Sequence, residues 1–299
     1  MATISQWEQS FQSWSQGPGK TESERCANAV RIIKDCLQGA GLLDKYRLEV
    51  FVQGSYANRT NIPQESDVDL CAVSMRGFFP EYPPTMTKAD FGHVDSDFRF
   101  PDLKNDVGNA LSSRFGGEVS RGDKCFAIHS NSNRVDTDVT PSIEHRRYQW
   151  PDRRASYVSG CEFWTDSGKP IINWPKQHIE NGERKNIAVN RRFKRVVRIL
   201  KHLQFDMIDA GKITERIIPS YAIECAAYNV PNDMFLNEPY YASVRRALAV
   251  IFNATLDDER CKEWVEVNGL KWLFRGSKPW TREQVHRFAG MAWDHVGYT

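Results

Sequence analysis

The sequence predicts an α+β protein in which a half containing a mixed sheet and helices precedes a helical half. Short runs rich in β-branched and aromatic residues alternate with helical patterns as far as Pro141, whereas from Arg191 onward the apolar spacing is mainly helical. The length of 299 residues favours two lobes around one cleft over a minimal domain or two independent ones. A cleft between lobes is the expected place for a functional site.

Each element follows from a local signal. Helices are predicted where apolar residues recur at helical spacing and a glycine follows, and strands where β-branched and aromatic runs stop at a turn. In chain order, the first half predicts a helix over 22–39, strands over 48–52 and 68–73, a proline-rich loop over 80–84, a helix over 102–115, and strands over 124–129 and 133–139. The second half predicts helices over 191–211, 220–229, 240–256 and 283–295.

The stretch between the two halves is polar, aromatic and interrupted by prolines and glycine, which is typical of a connecting segment that lines a cleft. We therefore divide the chain into a sheet-containing core over 1–145, which includes the first predicted helix, a connecting segment over 146–190 and a helical lobe over 191–299.

The composition is that of an ordinary soluble globular protein, with 40% hydrophobic and 26% charged residues and a net charge of +2. Such a balance argues against a protein that coats nucleic acid. The N-terminal stretch lacks the pattern of a secretory signal, and no apolar run approaches the ~20 residues that span a bilayer. The seven scattered cysteines contain no CxxC pair. We therefore expect a cytoplasmic protein without a membrane contact or a structural zinc.

A pair of carboxylates begins the second predicted strand. Asp67 and Asp69 alternate with Val68 and Leu70, so both acids point to one face while the apolar side chains point into the core. Neighbouring carboxylates repel unless a cation or a proton neutralises them, and Mg²⁺ takes hard oxygen ligands while leaving room for phosphates. The alternative is a pair of exposed charges on a solvated strand face.

The turn before these acids favours the metal interpretation. Gly54 permits a sharp bend, Ser55 adds a hydroxyl donor, and the N–H groups of such a turn can form a concavity that binds anions. The alternative is a plain loop with a serine that caps a helix. Two metal ions require a third carboxylate, and a later strand offers Asp136 and Asp138 on one face, so geometry does not choose between them.

At this point the sequence resembles a known family. The pattern GSYANRTNI, SDVDL and DVTPS is similar to the superfamily of 2′-5′ oligoadenylate synthases, cGAS and the bacterial cGAS/DncV-like nucleotidyltransferases of CBASS antiphage systems. The resemblance implies a polymerase-beta-like nucleotidyltransferase lobe beside a helical lobe, with the active site in the cleft. It also implies that Gly54 and Ser55 hold the NTP phosphates. Two Mg²⁺ ions, for which Mn²⁺ can substitute, would be bound by Asp67, Asp69 and Asp138; the family register selects Asp138 over Asp136.

Two motifs extend the resemblance to about residue 229. The segment RILKHL resembles the family segment whose lysine contacts the triphosphate, which implies Lys201. The segment PSYAIE resembles a helix start whose serine contacts phosphate and whose aromatic residue stacks on a base, which implies Ser220 and Tyr221. The alternatives are an N-cap for Ser220 and core packing for Tyr221. The basic stripe that contains Lys201 has a solvated helix face as its alternative; it consists of Arg191, Lys194, Arg198 and Lys201.

Several arginines and tryptophans of the connecting segment have more than one possible role. The arginines are expected either to line the cleft and contact nucleotide phosphate or to lie in a solvated loop. The tryptophans are expected to pack, with a place in the wall of a base pocket as the alternative for one of them. These residues are Arg146, Arg147, Arg153, Arg154, Trp150, Trp164 and Trp174.

The resemblance implies an enzyme that joins NTPs into a cyclic di- or trinucleotide second messenger, releases pyrophosphate and signals to a downstream effector in antiphage defence. The alternatives are a linear oligonucleotide synthase, nucleotidyl transfer to another acceptor, an inactive nucleotide- or RNA-binding protein and, last, a structural interaction protein. The chain lacks the Cys/His cluster and long basic tail of animal cGAS, so we do not expect long duplex DNA to be the activator. A regulatory protein partner is an alternative trigger, and we expect a monomer.

Overall fold

The structure, a computed structural model, describes residues 2–63, 65, 67–131, 134–148, 156–236 and 239–299. The chain divides into two compact units. Met1–Pro18, Ala57–Glu65 and Lys176–Thr299 form the helical unit, and Gly19–Tyr56 and Ser66–Pro175 form the sheet unit. These bounds differ from the predicted three-part division because the N-terminal residues and the segment 57–65 pack within the helical unit.

The sheet unit contains a mixed sheet in which the central strands β2 and β5 are parallel. The strands are β1 Leu48–Gln53, β2 Val68–Glu81, β3 Val119–Arg121, β4 Phe126–Ile128, β5 Thr137–Tyr148, β6 Tyr157–Trp164 and β7 Pro170–Asn173. Their order is β1-β2-β5-β4-β3, with β6 paired to β5 and β7. A parallel pair needs a long crossover, and the connection from β2 to β5 contains a helix, Phe100–Phe115, and the β3–β4 hairpin.

The helices take their positions from their apolar faces. In chain order they are α1 Ile4–Trp14, α2 Lys20–Gly39, α3 Leu42–Tyr46, α4 Gly54–Asn58, α5 Phe100–Phe115, α6 Pro175–Ala188, α7 Phe193–Asp209, α8 Ser220–Tyr228, α9 Tyr240–Ala254, α10 Asp258–Cys261 and α11 Arg282–Val296. In the sheet unit, α2 and α5 bury Ile33, Leu37 and Val107 against Val68 and Leu70 of β2.

The helical unit is built around α7, whose side chains are buried on every side of the helix. Trp7 and Phe11 of α1 belong to the same apolar cluster as Phe193 and Leu200 of α7. Capping boxes at Thr3 in α1 and at Thr281 in α11 satisfy the first N–H groups of these helices. The amphipathic pattern of α1 therefore attaches the start of the chain to the helical unit.

Most predicted elements are confirmed within a few residues, but two predictions are wrong. Pro80 lies inside β2, where a loop was predicted. A proline is tolerated there because β1 pairs only with residues 69–74, which leaves that side of β2 without a strand at Pro80. The segment 146–190, predicted as a connection, contains the end of β5, then β6, β7 and α6. Pro170 and Pro175 start β7 and α6, where a missing N–H costs little.

Two of the arginines singled out in this segment, Arg146 and Arg147, lie in β5, so the solvated-loop alternative is wrong for them. Arg146 bonds to Glu144 at 2.8 Å, and Arg147 bonds to Glu81 at 2.8 Å. The predicted packing is confirmed for Trp174, which is buried, and for Trp164, which packs against the sheet core. The other residues of this group, Arg153, Arg154 and Trp150, lie outside the described residues.

The cysteines are all free thiols, and five of the seven are buried, as expected of small apolar side chains. Within the described ranges, no helix has both the length and the apolar character needed to cross a membrane.

Candidate active site

Two of the predicted acids are neighbours on adjacent strands. Asp69 of β2 and Asp138 of β5 are partners in the parallel register, so their side chains lie on the same face of strands about 4.8 Å apart. Both residues are half-buried, and each precedes a fully buried residue, Leu70 or Val139. Asp67 is exposed and directly precedes β2. The sheet therefore holds negative charges together, an arrangement that a bound cation would stabilise.

The glycine turn lies directly against this pair. Gln53, the last residue of β1, is the register partner of Asp69, and Gly54 follows it with φ +68°. A Cβ added to Gly54 would lie 1.9 Å from Oδ2 of Asp69. The predicted helix after the turn is present as α4, with Ser55 half-buried in its first turn. Only glycine allows this backbone to approach the carboxylate so closely.

The surroundings of the two candidate third acids differ. Oδ1 of Asp136 accepts the N–H of Ser130 at 2.7 Å and lies 3.9 Å from Nδ1 of His129. Asp138 instead lies beside Asp69 and close to the Cys125 thiol. Burial, together with the charge of Asp138 and a hydrogen bond to it, raises the pKa of Cys125 to about 12. These contacts favour Asp138 over Asp136 as the third acid of the site.

The donor set fits a hard divalent cation. Among the described residues, no three His, Cys, Asp or Glu side chains are close enough to form a complete metal site. The pair Asp69 and Asp138 supplies carboxylate oxygens, and Asp67 carries another beside the strand end. Carboxylate oxygens are hard ligands of the kind that suit Mg²⁺ or Mn²⁺.

In the helical unit, Lys201 is fully buried rather than solvated. Its Nζ donates to the carbonyl of Thr60 at 2.9 Å, and burial lowers its pKa. The Thr60 hydroxyl donates to Oε2 of Glu224 at 2.8 Å, and His178 contacts the other oxygen of Glu224 at 2.9 Å. Burial would raise the pKa of Glu224, but His178, Lys201 and Thr60 outweigh it and lower the pKa to about 2. Thr60 is thus held at both its carbonyl and its hydroxyl.

The other members of the basic stripe that lie on α7 are also buried, so the solvated-face alternative is wrong for them. Lys194 is buried and bonds to Glu183 at 2.6 Å. Arg198 is buried, donates to the carbonyls of Ser15 and Arg59, and has its pKa lowered by burial to about 10. These cations hold backbone and side chains inside the helical unit. Exposed Arg191 precedes α7 and does not belong to the helix.

The N-cap alternative for Ser220 is also wrong. The N-cap position of α8 is Pro219, and Ser220 is the first helical residue. Its Oγ is buried and has no hydrogen-bond partner within the described residues. Both polar atoms of the buried Asn61 amide are in the same condition. An unmade bond of this kind costs about 1–3 kcal/mol, so each of these groups is expected to take a partner such as water, an ion or a ligand.

Tyr221 is partly exposed. The core-packing alternative therefore applies only to the hydroxyl end of its side chain. The residue is 37% exposed, whereas its hydroxyl donates to buried Glu266 at 2.8 Å. The His178 and Trp280 rings lie 5.5 Å and 5.8 Å from its own ring. An aromatic ring that is held at its polar end and open elsewhere is suited to stacking on a planar ligand.

Comparison with known proteins agrees with this geometry. Residues 180–297 match the family model of the cGAS/DncV-like nucleotidyltransferase C-terminal helical domain. The cyclic dipyrimidine nucleotide synthase CdnE of Cecembia lonarensis is 36% identical to this chain, over 97% of the chain and 98% of its own length. The chain belongs to the cGAS/DncV-like nucleotidyltransferases.

Two solved structures are similar along almost the whole of this nucleotidyltransferase. The CdnE cyclic dinucleotide synthase of Elizabethkingia meningoseptica, solved with GTP and Apcpp, has 33% identity and a TM-score of 0.78, and the match covers 97% of this chain and 99% of that one. The CdnE c-UMP-AMP synthase of Rhodothermus marinus, solved with Apcpp and Upnpp, has 29% identity and a TM-score of 0.80, covering 100% and 99%. The predicted family and the predicted α+β fold with a polymerase-beta-like lobe are confirmed.

Several residues that contact the candidate site residues were not singled out by the sequence pattern. Thr60, His178 and Glu224 form one buried hydrogen-bonded group, and Cys125 contacts the candidate third acid. One signal was available for Glu224, because it is the lone charged residue within the apolar helix α8. His178 and Cys125 carry no comparable local signal, since their partners lie far away along the chain.

Proposed function

We propose that this nucleotidyltransferase joins NTPs into a cyclic di- or trinucleotide signal and releases pyrophosphate. The observation that carries the proposal is the in-register pair Asp69 and Asp138, with the Gly54 turn in direct contact with Asp69. The activities of its relatives support the same reaction, because the Cecembia lonarensis protein is a cyclic dipyrimidine nucleotide synthase and two others were solved with NTP analogues.

The three acids would carry out metal binding and proton transfer. Asp67, Asp69 and Asp138 would hold two Mg²⁺ ions, which lower the pKa of the attacking ribose hydroxyl and stabilise the negative charge on the leaving pyrophosphate. Asp138 would accept the proton of that hydroxyl as its oxygen attacks the α-phosphate. Each further transfer would release another pyrophosphate, and the last one, the second for a dinucleotide or the third for a trinucleotide, would close the ring.

A separate group of residues would bind the substrate. Gly54, Ser55 and Lys201 would hold the triphosphate, and Ser220 would give its unpaired hydroxyl to a phosphate oxygen. Tyr221 would stack on a base with the part of its ring that is exposed. The product would act on a downstream effector in antiphage defence.

The bases that this chain uses do not follow from its overall similarity to its relatives. A relative from Elizabethkingia meningoseptica that is 34% identical is a cyclic dipurine nucleotide synthase, whereas the 36% identical one from Cecembia lonarensis uses pyrimidines. Chains equally distant from this one thus select different bases. The experiment should therefore supply all four NTPs together.

The test is incubation of the purified protein with four NTPs and Mg²⁺, with the products resolved by mass spectrometry. We expect a phosphatase-resistant product of cyclic mass that disappears in Asp69→Asn, and also when EDTA removes the metal, with recovery on adding Mg²⁺ or Mn²⁺. Phosphatase-sensitive oligomers would instead identify a linear synthase. NTP binding without any product would identify an inactive nucleotide-binding protein.

A further inference from the structure

The anchor of Tyr221 lies in a part of the helical unit that the proposed reaction does not use. The Tyr221 hydroxyl donates to Oε2 of Glu266, which is only 4% exposed. Burial, with the charge of Glu266 nearby, holds the pKa of Tyr221 well above its usual value, so the hydroxyl stays a donor at neutral pH. The hydrogen bond therefore joins a neutral donor to a buried carboxylate.

Glu266 is itself fixed by two further side chains. Lys278 donates to its Oε1, and the Asn268 amide donates to Oε2 at 2.8 Å. Burial would raise the pKa of Glu266, but the hydrogen bond and charge of Lys278 outweigh it, and the pKa lies below its usual value. The carboxylate is therefore ionised and accepts from three donors, Tyr221, Lys278 and Asn268, which gives charge-assisted bonds.

The loop that carries Glu266 is tied to the helices around it. The Asn229 side chain accepts from the N–H of Val265 at 3.0 Å and donates to its carbonyl at 2.8 Å. The Asn181 amide donates to the carbonyl of Val267 at 3.0 Å. Glu266 thus has bonded backbone on both sides, and its position is set by α6 and α8 rather than by a free loop.

These contacts act on the direction of the Tyr221 ring. The hydroxyl lies on the long axis of the ring, so its hydrogen bond fixes where that axis points, and the rings of His178 and Trp280 limit rotation about it. A ring that is already oriented loses less conformational entropy when a base stacks on it.

We infer that Glu266, held by Lys278 and Asn268, is a positioning residue that orients Tyr221 for the nucleobase and thereby raises NTP affinity. The inference rests on the proposed function, since it requires Tyr221 to stack on a base. Glu266 touches no reacting atom, so its loss should weaken nucleotide binding and leave the chemical step almost unchanged.

The test is a double-mutant cycle of Tyr221→Phe and Glu266→Gln in the full chain. Phenylalanine keeps the ring but removes the hydroxyl, and glutamine has one acceptor oxygen where Glu266 uses two. The affinity for each of the four α,β-methylene NTPs is measured by calorimetry, and the nucleotide that binds most tightly is used for all variants. We expect each variant to raise Kd by about 3–10-fold, and we expect Glu266→Gln to keep kcat at saturating NTP within about twofold of the wild type.

If Glu266 acts through the Tyr221 hydroxyl, the double variant should bind the nucleotide no more weakly than whichever single variant has the higher Kd. The matched control is Asp206→Asn, which removes a carboxylate bonded to His295 at 2.6 Å in the same unit and should leave Kd unchanged. The inference would be overturned if the two fold-increases in Kd multiplied in the double variant. It would also be overturned if both single variants lost stability in urea while their Kd stayed unchanged.

Tyr221→Ala separates this inference from the proposed function. A raised Kd for Tyr221→Ala, with no effect of Tyr221→Phe and Glu266→Gln, would overturn the positioning role and leave the stacking role intact. An unchanged Kd for Tyr221→Ala would overturn both, while cyclic product formation would still test the proposed reaction.

Discussion

Replacing Gly54 by alanine tests whether the turn after β1 determines the position of the Asp69 carboxylate. The new Cβ would lie 1.9 Å from Oδ2 of Asp69 and 2.8 Å from its Cγ, and the backbone φ is +68°. To reach an ordinary contact of 3.4 Å, the carboxylate oxygen must retreat by about 1.5 Å. The obstacle is the end of a side chain, so it can rotate away and the protein can still fold.

The two consequences have different sizes. An L-residue at positive φ costs roughly 1–2 kcal/mol of stability. A displacement of about 1 Å in a reacting group can cost on the order of 100-fold in rate. Gly54→Ala should therefore fold, unfold at somewhat lower urea, and release pyrophosphate about 100-fold more slowly than the wild type.

Gly41→Ala is the matched control, since Gly41 has φ +70° and a Cβ there would meet no atom within 4 Å. It should lose about the same stability and keep its activity, because it strains the backbone without moving a carboxylate. Pyrophosphate release and urea unfolding are measured on both variants under one set of conditions. The reasoning is refuted if Gly54→Ala keeps more than about a third of the activity, or if Gly41→Ala loses as much.

Asp138→Asn should lower pyrophosphate release by about 100-fold or more, whereas Asp136→Asn, whose carboxylate bonds to Ser130, should stay within about threefold; the reverse order would exchange their roles. Glu224→Gln should lower the free energy of urea unfolding by about 3–5 kcal/mol, against about 0.5 kcal/mol or less for the exposed Asp35→Asn. The pKa of Glu224 falls from 4.5 to about 2 on folding, so its contribution should be complete above pH 4.5 and should disappear as the pH falls toward 2. An unchanged difference between the wild type and Glu224→Gln across that range would contradict it. Lys201→Met should weaken NTP binding about tenfold and leave the binding of a nucleoside monophosphate unchanged. An equal loss of affinity for both ligands would mean that Lys201 acts only by holding Thr60.

The predictions that succeeded depend on neighbours in sequence. Helices such as α2 and α11 have apolar spacing and end signals within one short window, so their bounds were predictable. Pro80 was misread because its tolerance depends on where β1 stops pairing with β2, which is a property of the sheet. The strands β6 and β7 were not predicted because Gly160 lies inside β6 and Pro170 begins β7, and both residues are typical of loops.

The same division applies to the candidate site. Asp67 and Asp69 could be placed on one face from the sequence, because alternation along a strand is a local property. The resemblance to the family selects Asp138 over Asp136, but the pairing of Asp138 with Asp69 depends on the register of β2 against β5, and these strands meet only through tertiary pairing. The basic stripe on α7 was visible as spacing, but its burial was not, because Lys201 finds its partner Thr60 141 residues earlier in the chain.

The sequence by itself determined the fold class, the family and the order of the acidic and glycine motifs, since each of these can be recognised from residues that are close together in the chain. Only the tertiary structure decided that Asp138 faces Asp69, that Gly54 lies against that carboxylate, and that Glu266 holds Tyr221. The physical reason is that hydrogen bonds, ion pairs and close contacts depend on distances in space, and residues far apart in the chain acquire those distances only when the sheet and the helices pack.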